Sequence, residues 1–270
     1  MMAWRGVRST VRPGPRVGAI HAMAAATPRQ AVVFLHGIVG ADFIRALWPS
    51  FQYFRLLDRR LADFGVPLYF PGAPSAATIE TRAGFLAAAL AQIPADTLHL
   101  VAHSMGGLDA RYLIHHHDAE CRIRSLTTVG SPHRGSPLVQ WVMDTNGLLQ
   151  WFSRRFLVPG LHELTPEACA RFNEQVPDRA DVVYRSYAGC RPVGEMPWLY
   201  REPTRVLQRL EGDNDSQVSV ASARWGDFRG TVRADHLELT GWSFGLPNRR
   251  AQRPFDHGAF YRRIVGELLG

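Results

Sequence analysis

Within Leu98–Gly107, read L-H-L-V-A-H-S-M-G-G, an apolar run ends on Ser104, and that serine is bracketed by the small residues Ala102 and Gly106. A serine hydroxyl becomes a useful nucleophile only when a turn holds it exposed beside a base, and a small-x-Ser-x-Gly string between a strand and a helix builds such a turn. Activation needs an imidazole, and a carboxylate must hold that imidazole in the right tautomer. Of eleven histidines, His236 is the first candidate, in Asp235-His236-Leu237 after a β-like stretch, and His257 at the start of the last helix is the second. The acid falls in Glu211-Gly212-Asp213-Asn214-Asp215-Ser216-Gln217-Val218, where composition leaves both Asp213 and Asp215 open, as catalytic groups or as caps of a helix-like Val218–Trp225. A tetrahedral intermediate also needs donors for its oxyanion. The backbone N–H of Met105 is one, and the N–H of Ile38 in His36-Gly37-Ile38 is the other. The chemistry this set could perform is acyl transfer through an acylated serine.

These groups need a scaffold. Ala31–Leu35, Val66–Phe70, Leu98–Ala102, Ile123–Val129, Val182–Tyr187 and Thr231–Ala234 read as strands. Between them Phe51–Phe64, Ile79–Ile93 and a segment from Met105 to about His117 carry helical spacing, and Phe255–Leu269 closes the chain as a helix. Strand and helix in alternation predict an α/β fold, a mostly parallel sheet with helices on both faces. Pro132–Leu164 breaks that rhythm with dense apolar residues, and the lid or cap is expected at about 137–165 of a single domain spanning 30–270. It reads either as a fixed cap or as a lid over an apolar cleft, with Leu138, Trp141, Val142, Leu148 and Trp151 lining the substrate pocket. His115-His116-His117 is expected at a helix end, where imidazolium suits the dipole, rather than at a metal. His99, His133 and His162 read as hydrogen-bonded structural residues, and His103 as a brace for the Ser104 turn.

The chain has 270 residues with a formal net charge of +7, and all 31 basic residues are Arg. They are interspersed with acids instead of forming a stripe, which excludes a nucleic-acid-binding surface from the expectations. No apolar run reaches the length of a membrane span. Cys121, Cys169 and Cys190 are an odd number without metal-ligand spacing and read as reduced thiols inside a cell, with one disulfide plus a free thiol as the alternative. Residues 1–29 contain Arg5, Arg8, Arg12, Arg16 and Arg29 and no acid. That composition fits a mitochondrial transit peptide, a disordered leader, or translation beginning at Met23. The expected location is cytoplasmic, with the mitochondrion as the alternative.

V-F-L-H-G-I-V-G, V-A-H-S-M-G-G-L-D-A-R-Y and T-T-V-G-S-P-H-R-G-S together resemble the bacterial true lipases of the Pseudomonas and Burkholderia type and their mitochondrial yeast relative. Further matches are Ala170-Arg171-Phe172-Asn173, Asp213-Asn214-Asp215 with Val218, Asp235-His236-Leu237 and Trp242-Ser243-Phe244-Gly245-Leu246, so that the resemblance spans roughly residues 31–269. It implies the α/β-hydrolase fold, Ser104 as nucleophile, His236 as base and Ile38 and Met105 as oxyanion donors. The acid of that family lies in an N-D-G-x-V context, which places it on Asp215, with Ser216 standing where the family has Gly. Secreted members carry a calcium site whose ligand two residues past the base falls on Glu238. No upstream partner aspartate is identifiable, so no metal or other cofactor is expected. The implied activity is carboxylic-ester hydrolysis on acylglycerols or other lipid esters, with a small ester or lipid as partner and transient contact with a membrane or lipid-droplet surface. Acyl transfer, phospholipid cleavage and thioester cleavage on the same site are alternatives, as is a catalytically silent protein that binds a lipid or a partner. Nothing in the sequence indicates an oligomeric state.

Overall fold

The computed structural model describes residues 30–38, 52–75, 77–144, 158–243 and 255–270. Their elements follow in the order β1 (Gln30–Leu35), α1 (Leu57–Arg60), β2 (Leu68–Tyr69), α2 (Ile79–Leu90), β3 (Thr97–His103), α3 (Gly106–His117), β4 (Ile123–Val129) and α4 (Pro137–Asp144). Next come α5 (Val158–His162), α6 (Pro166–Gln175), β5 (Val183–Gly189), α7 (Arg201–Leu210), α8 (Val220–Ala223), β6 (Asp227–Val232) and α9 (His257–Leu269). Among the described residues the strands form one six-stranded sheet in the order β2-β1-β3-β4-β5-β6, and every pair is parallel. Residues 1–29, proposed as a leader, lie outside the described residues, as do residues 145–157 of the proposed lid.

Period-two alternation explains why β1 reads as an unbroken apolar run. Ala31, Val33 and Leu35 face one layer, packed on Leu86 and Leu90 of α2 and Leu113 and Ile114 of α3. Val32 and Phe34 face the other, against Leu57 of α1 and Phe260, Tyr261 and Ile264 of α9. A strand covered on both sides has no solvent face to mark with polar residues. Each fully buried leucine in these layers contributes about 2 kcal/mol, and the sheet they clamp is a rigid platform for whatever hangs from its strand ends.

Three spans differ from the sequence expectation. The Phe51–Phe64 helix is reduced to α1 and a single 3₁₀ turn at Ala62–Phe64, because Leu56 sits at φ 57°, in the left-handed region, and breaks the helix before it. The last strand runs Asp227–Val232 rather than Thr231–Ala234. It is an edge strand whose burial alternates between half-buried and exposed, so no apolar run announced it. The Val218–Trp225 segment is helical only over α8, and Ser219, not either aspartate, caps it by accepting from the Ser222 N–H. The three cysteines are free, with Cys169 buried and its thiol pushed up to about 12 by that burial.

Candidate active site

Ser104, Asp215, His236, Ile38 and Met105 gather at the carboxyl ends of the parallel strands, where open α/β sheets hold their ligands. Ser104 follows β3 directly and takes φ 56°, left-handed backbone that a non-glycine residue adopts only under local constraint. The constraint is visible. Its N–H donates to the Val129 carbonyl at 3.1 Å, and its carbonyl accepts from Gly107 at 3.0 Å as α3 begins. A Cβ on Gly106 would stand 2.8 Å from the carbonyl oxygens of both Leu35 and His36, so only glycine lets α3 press onto the end of β1.

The Ser104 hydroxyl donates to His236 Nε2 at 3.0 Å, and His236 Nδ1 donates to Asp215 Oδ2 at 2.8 Å. All three residues are buried. The other Asp215 oxygen, Oδ1, accepts the backbone N–H groups of Gln217 and Val218 at 2.9 and 2.8 Å, which leaves Oδ2 aimed at the imidazole. His236 in turn ties its own N–H to the Asp215 carbonyl at 2.8 Å. Asp213 stands apart. It is exposed in a shallow charged depression with Arg134 and Glu211. His257 is also elsewhere, with Nε2 donating to the Arg55 carbonyl at 2.8 Å.

Gly130, at the end of β4 with φ 57°, makes room for the pair, since a Cβ there would approach Asp215 Oδ2 to 3.0 Å. Ser216 adopts φ 88° in the tight turn after Asp215. That is the backbone reason a glycine is expected there, and the serine carries local strain in its place.

Ile38 lies in the loop after β1, and Met105 in the turn that starts α3. Four hydrogen bonds fix that loop. The His36 ring donates from Nδ1 to the Gly37 carbonyl at 2.8 Å and accepts from the Ala73 N–H at Nε2, at 3.0 Å. Arg82, fully buried and paired with Asp109 at 2.8 Å, donates to the His36 carbonyl at 2.7 Å. The Gly37 N–H donates to the Tyr53 hydroxyl at 3.1 Å, and that hydroxyl donates to His103 Nδ1 at 2.7 Å. Burial lifts the Tyr53 hydroxyl far above its ordinary value, and burial followed by the neighbouring His236 pushes His103 well below its own. The His103 ring stands beside that of His236, with their centroids 4.5 Å apart.

Gly37 faces Ser104 so closely that a Cβ on it would lie 2.6 Å from Ser104 Cβ and 3.1 Å from Oγ. Gly37→Ala is expected to lower kcat/KM for p-nitrophenyl butyrate by about 100-fold, because it displaces the reacting hydroxyl by a fraction of an ångström. Unchanged turnover would show that the loop yields.

An apolar cleft of about 330 Å³ opens on Ser104, and Leu138, Trp141 and Val142 line it together with Leu161 and Leu164. Leu148 and Trp151, expected in the same lining, lie outside the described residues. Sequence reasoning missed Leu199, Tyr200 and Pro203, which also line the cleft, just before and at the start of α7, a helix in contact with α4. The only signal for them is the apolar run Trp198-Leu199-Tyr200 after a core strand, and that run is indistinguishable from packing residues without its partner helix. Among the other histidines, His99 Nδ1 meets Ser125 Oγ at 2.7 Å and His133 Nε2 meets Thr128 Oγ1 at 2.9 Å. His162, expected to be bonded into the structure, is exposed instead on the last turn of α5. His115, His116 and His117 are exposed at the end of α3, and among the described residues no three His, Cys, Asp or Glu side chains are grouped to hold a metal.

The parallel sheet and the serine turn it carries agree with a family comparison, in which residues 30–248 match the model described as the alpha/beta hydrolase fold. The chain is an α/β-hydrolase. The hydrolase is 33% identical over 239 residues to triacylglycerol lipase 2 of Saccharomyces cerevisiae, covering 81% of this chain and 69% of that one. It is 31% identical over 134 residues to a triacylglycerol lipase of Burkholderia plantarii, covering 47% of this chain and 36% of the relative. Its fold superposes on a mature Bacillus licheniformis lipase with a TM-score of 0.69 at 20% identity, covering 91% and 93% of the two chains. A metagenomic carboxyl esterase superposes with a TM-score of 0.73, also at 20% identity, over 97% and 81% of the chains. It is a hydrolase of the lipase and esterase type.

The calcium ligand of secreted lipases would fall on Glu238, and the residues present there do not fit the ion. Ca²⁺ takes roughly six to eight oxygen ligands. The Glu238 carboxylate is instead buried against the Arg191 guanidinium, Nη1 to Oε2 at 2.6 Å, and also accepts the Asp235 N–H at 3.0 Å. A fixed positive charge at that distance opposes a dication.

Proposed function

We propose that this hydrolase cleaves lipid esters, acylglycerols foremost, through an acyl-enzyme on Ser104. As Ser104 Oγ bonds to the ester carbonyl carbon, its proton passes to His236 Nε2, while Asp215 holds the ring and stabilises the imidazolium. The carbonyl oxygen becomes an oxyanion that accepts from the Ile38 and Met105 N–H groups. Collapse of the intermediate breaks the bond to the alcohol, which takes the proton from His236. Water, deprotonated by the same imidazole, then attacks the acyl carbon, and the proton returns to Ser104 as the fatty acid leaves.

The observation that supports this reading is the apolar cleft opening directly on the serine, lined by Leu138, Trp141, Val142 and Leu199 among others. A hydrocarbon chain is the matching cargo for such a lining. Its rim supports contact with a lipid surface, since Trp198 is 77% and Leu199 is 56% exposed beside the mouth. Tryptophan favours the headgroup level of a bilayer or droplet. Among the described residues no helix is long and apolar enough to cross a membrane. The three free thiols favour a reducing, intracellular location.

The test is a pair of measurements on the purified protein. A fluorophosphonate probe should label Ser104, and fatty acid should be released from emulsified triacylglycerol and from p-nitrophenyl butyrate. Absence of labelling would favour a silent binding protein. Acyl groups appearing on an added alcohol in preference to water would make the enzyme a transferase.

A further inference from the structure

Arg191 sits where two loops of the site meet. Its backbone N–H donates to the Asn214 carbonyl at 3.2 Å, in the residue just before Asp215. Its side chain crosses to the turn that carries His236 and pairs with Glu238 at 2.6 Å, both partners being buried. That turn is closed around the pair. Glu238 Oε2 accepts from the Asp235 N–H at 3.0 Å, and Asp235 Oδ1 accepts from the Leu237 and Glu238 N–H groups at 3.0 and 2.9 Å. Asn214 is itself held, donating from Nδ2 to the carbonyls of Thr204 and Gly212 at 3.2 and 2.9 Å and accepting from the Ser216 N–H at 2.9 Å. A single residue thus bonds by its backbone to the Asp215 loop and by its charge to the His236 turn.

We propose that Arg191 is a built-in cation that positions His236, its guanidinium holding the Asp235–Thr240 turn against the Asp215 loop so that no divalent ion is required there. Both devices place positive charge on a buried carboxylate beside the base. The guanidinium differs in being covalently attached and always charged, so it cannot be chelated away. Arg191 touches neither substrate nor the reacting atoms; it is a positioning residue, acting through the orientation of the imidazole. Leu239, in the same turn, explains why a small displacement would reach the chemistry. Its Cδ1 lies against the sites where Gly130 and Gly189 lack side chains, at 2.9 and 3.2 Å from the positions their Cβ atoms would take. The turn is thus packed on the ends of β4 and β5, under the Asp215–His236 pair.

The experiment measures thermal midpoint, kcat and KM for p-nitrophenyl butyrate, and the rate of fluorophosphonate labelling, in EDTA and in excess Ca²⁺. Wild-type protein should give the same values in both. Arg191→Met should lose about 100-fold in kcat and in labelling rate, with KM within a factor of about two, because it misplaces the base without touching the cleft. Ca²⁺ should not restore it, and Arg191→Lys should recover most of the loss by returning the charge. If Arg191→Met does not fold, the double variant Arg191→Met, Glu238→Leu removes the stranded buried carboxylate and must still show the kcat loss. Loss of midpoint or activity by the wild type in EDTA, restored by Ca²⁺, would overturn the proposal. So would full kcat in folded Arg191→Met or in the double variant, which would reduce Arg191 to a neutraliser of Glu238. The midpoint arm needs no ester, so it reads independently of the proposed substrate.

Discussion

Replacement of Ser104 by alanine is expected to lower kcat by about 10⁶-fold while KM stays within a factor of about two, because serine, histidine and aspartate act as one unit. Alanine removes the Oγ to which the proposed mechanism gives the attack, yet leaves Leu138, Trp141 and Val142 of the cleft intact. It also keeps the backbone at φ 56°, so the elbow retains its strain and the fold its shape. The companion variant Ser104→Gly relieves that strain by about 1 kcal/mol and should raise the thermal midpoint while remaining inactive. Burst-phase p-nitrophenol release and probe labelling check both. Turnover by Ser104→Ala within tenfold of wild type, as an order of magnitude about five decades above expectation, would remove Ser104 from the mechanism.

Asp215→Asn is expected to cost about 10⁴-fold in kcat, whereas Asp213→Asn should change it by less than about twofold. Oδ1 of Asp215 already accepts two backbone N–H groups, from Gln217 and Val218. An asparagine that keeps its oxygen on those donors must turn its NH₂ toward His236 Nδ1. The imidazole then takes the tautomer with its proton on Nε2, facing Ser104, and cannot accept the hydroxyl proton. Flipping the amide would instead set its NH₂ against two backbone donors in a buried turn, leaving them unsatisfied. Neither arrangement works. Asp213 has no such duty: its side chain is exposed, and its carbonyl, which accepts from the Val220 N–H at 2.8 Å, survives the change. The reverse pattern of loss would move the acid to Asp213.

The readable part of this site was local in the chain. A strand run into Ala102-His103-Ser104-Met105-Gly106 and a His-Gly after the first strand are each written within a few residues. Buried parallel strands also announce themselves locally, because both faces demand apolar side chains. The exposed edge strand β6 and the helix lost before Leu56 went unread for the opposite reason: their shapes answer to neighbours rather than to their own pattern. The same holds for the Arg82 clamp on the His36 carbonyl and for the Tyr53 hydroxyl bridging Gly37 to His103. In these a residue distant in sequence satisfies a polar group, and a buried Arg or Tyr carries no mark of which group that is.

By itself the sequence determined the α/β alternation, the serine on its tight turn, and a short roster of histidines and aspartates able to serve it. The motif resemblance already favoured His236 and Asp215 among them, and the tertiary structure supplied the contacts between them. It bonded His236 rather than His257, and Asp215 rather than Asp213, into one chain of hydrogen bonds with Ser104. It added Leu199 and Pro203 to the cleft lining, and it set Arg191 against the Glu238 carboxylate, where the calcium ligand of secreted lipases would fall. The physical reason is the same throughout. Strand and turn propensities act over a few residues, whereas a hydrogen-bonded site is specified to a few tenths of an ångström between segments that only the packed sheet brings together.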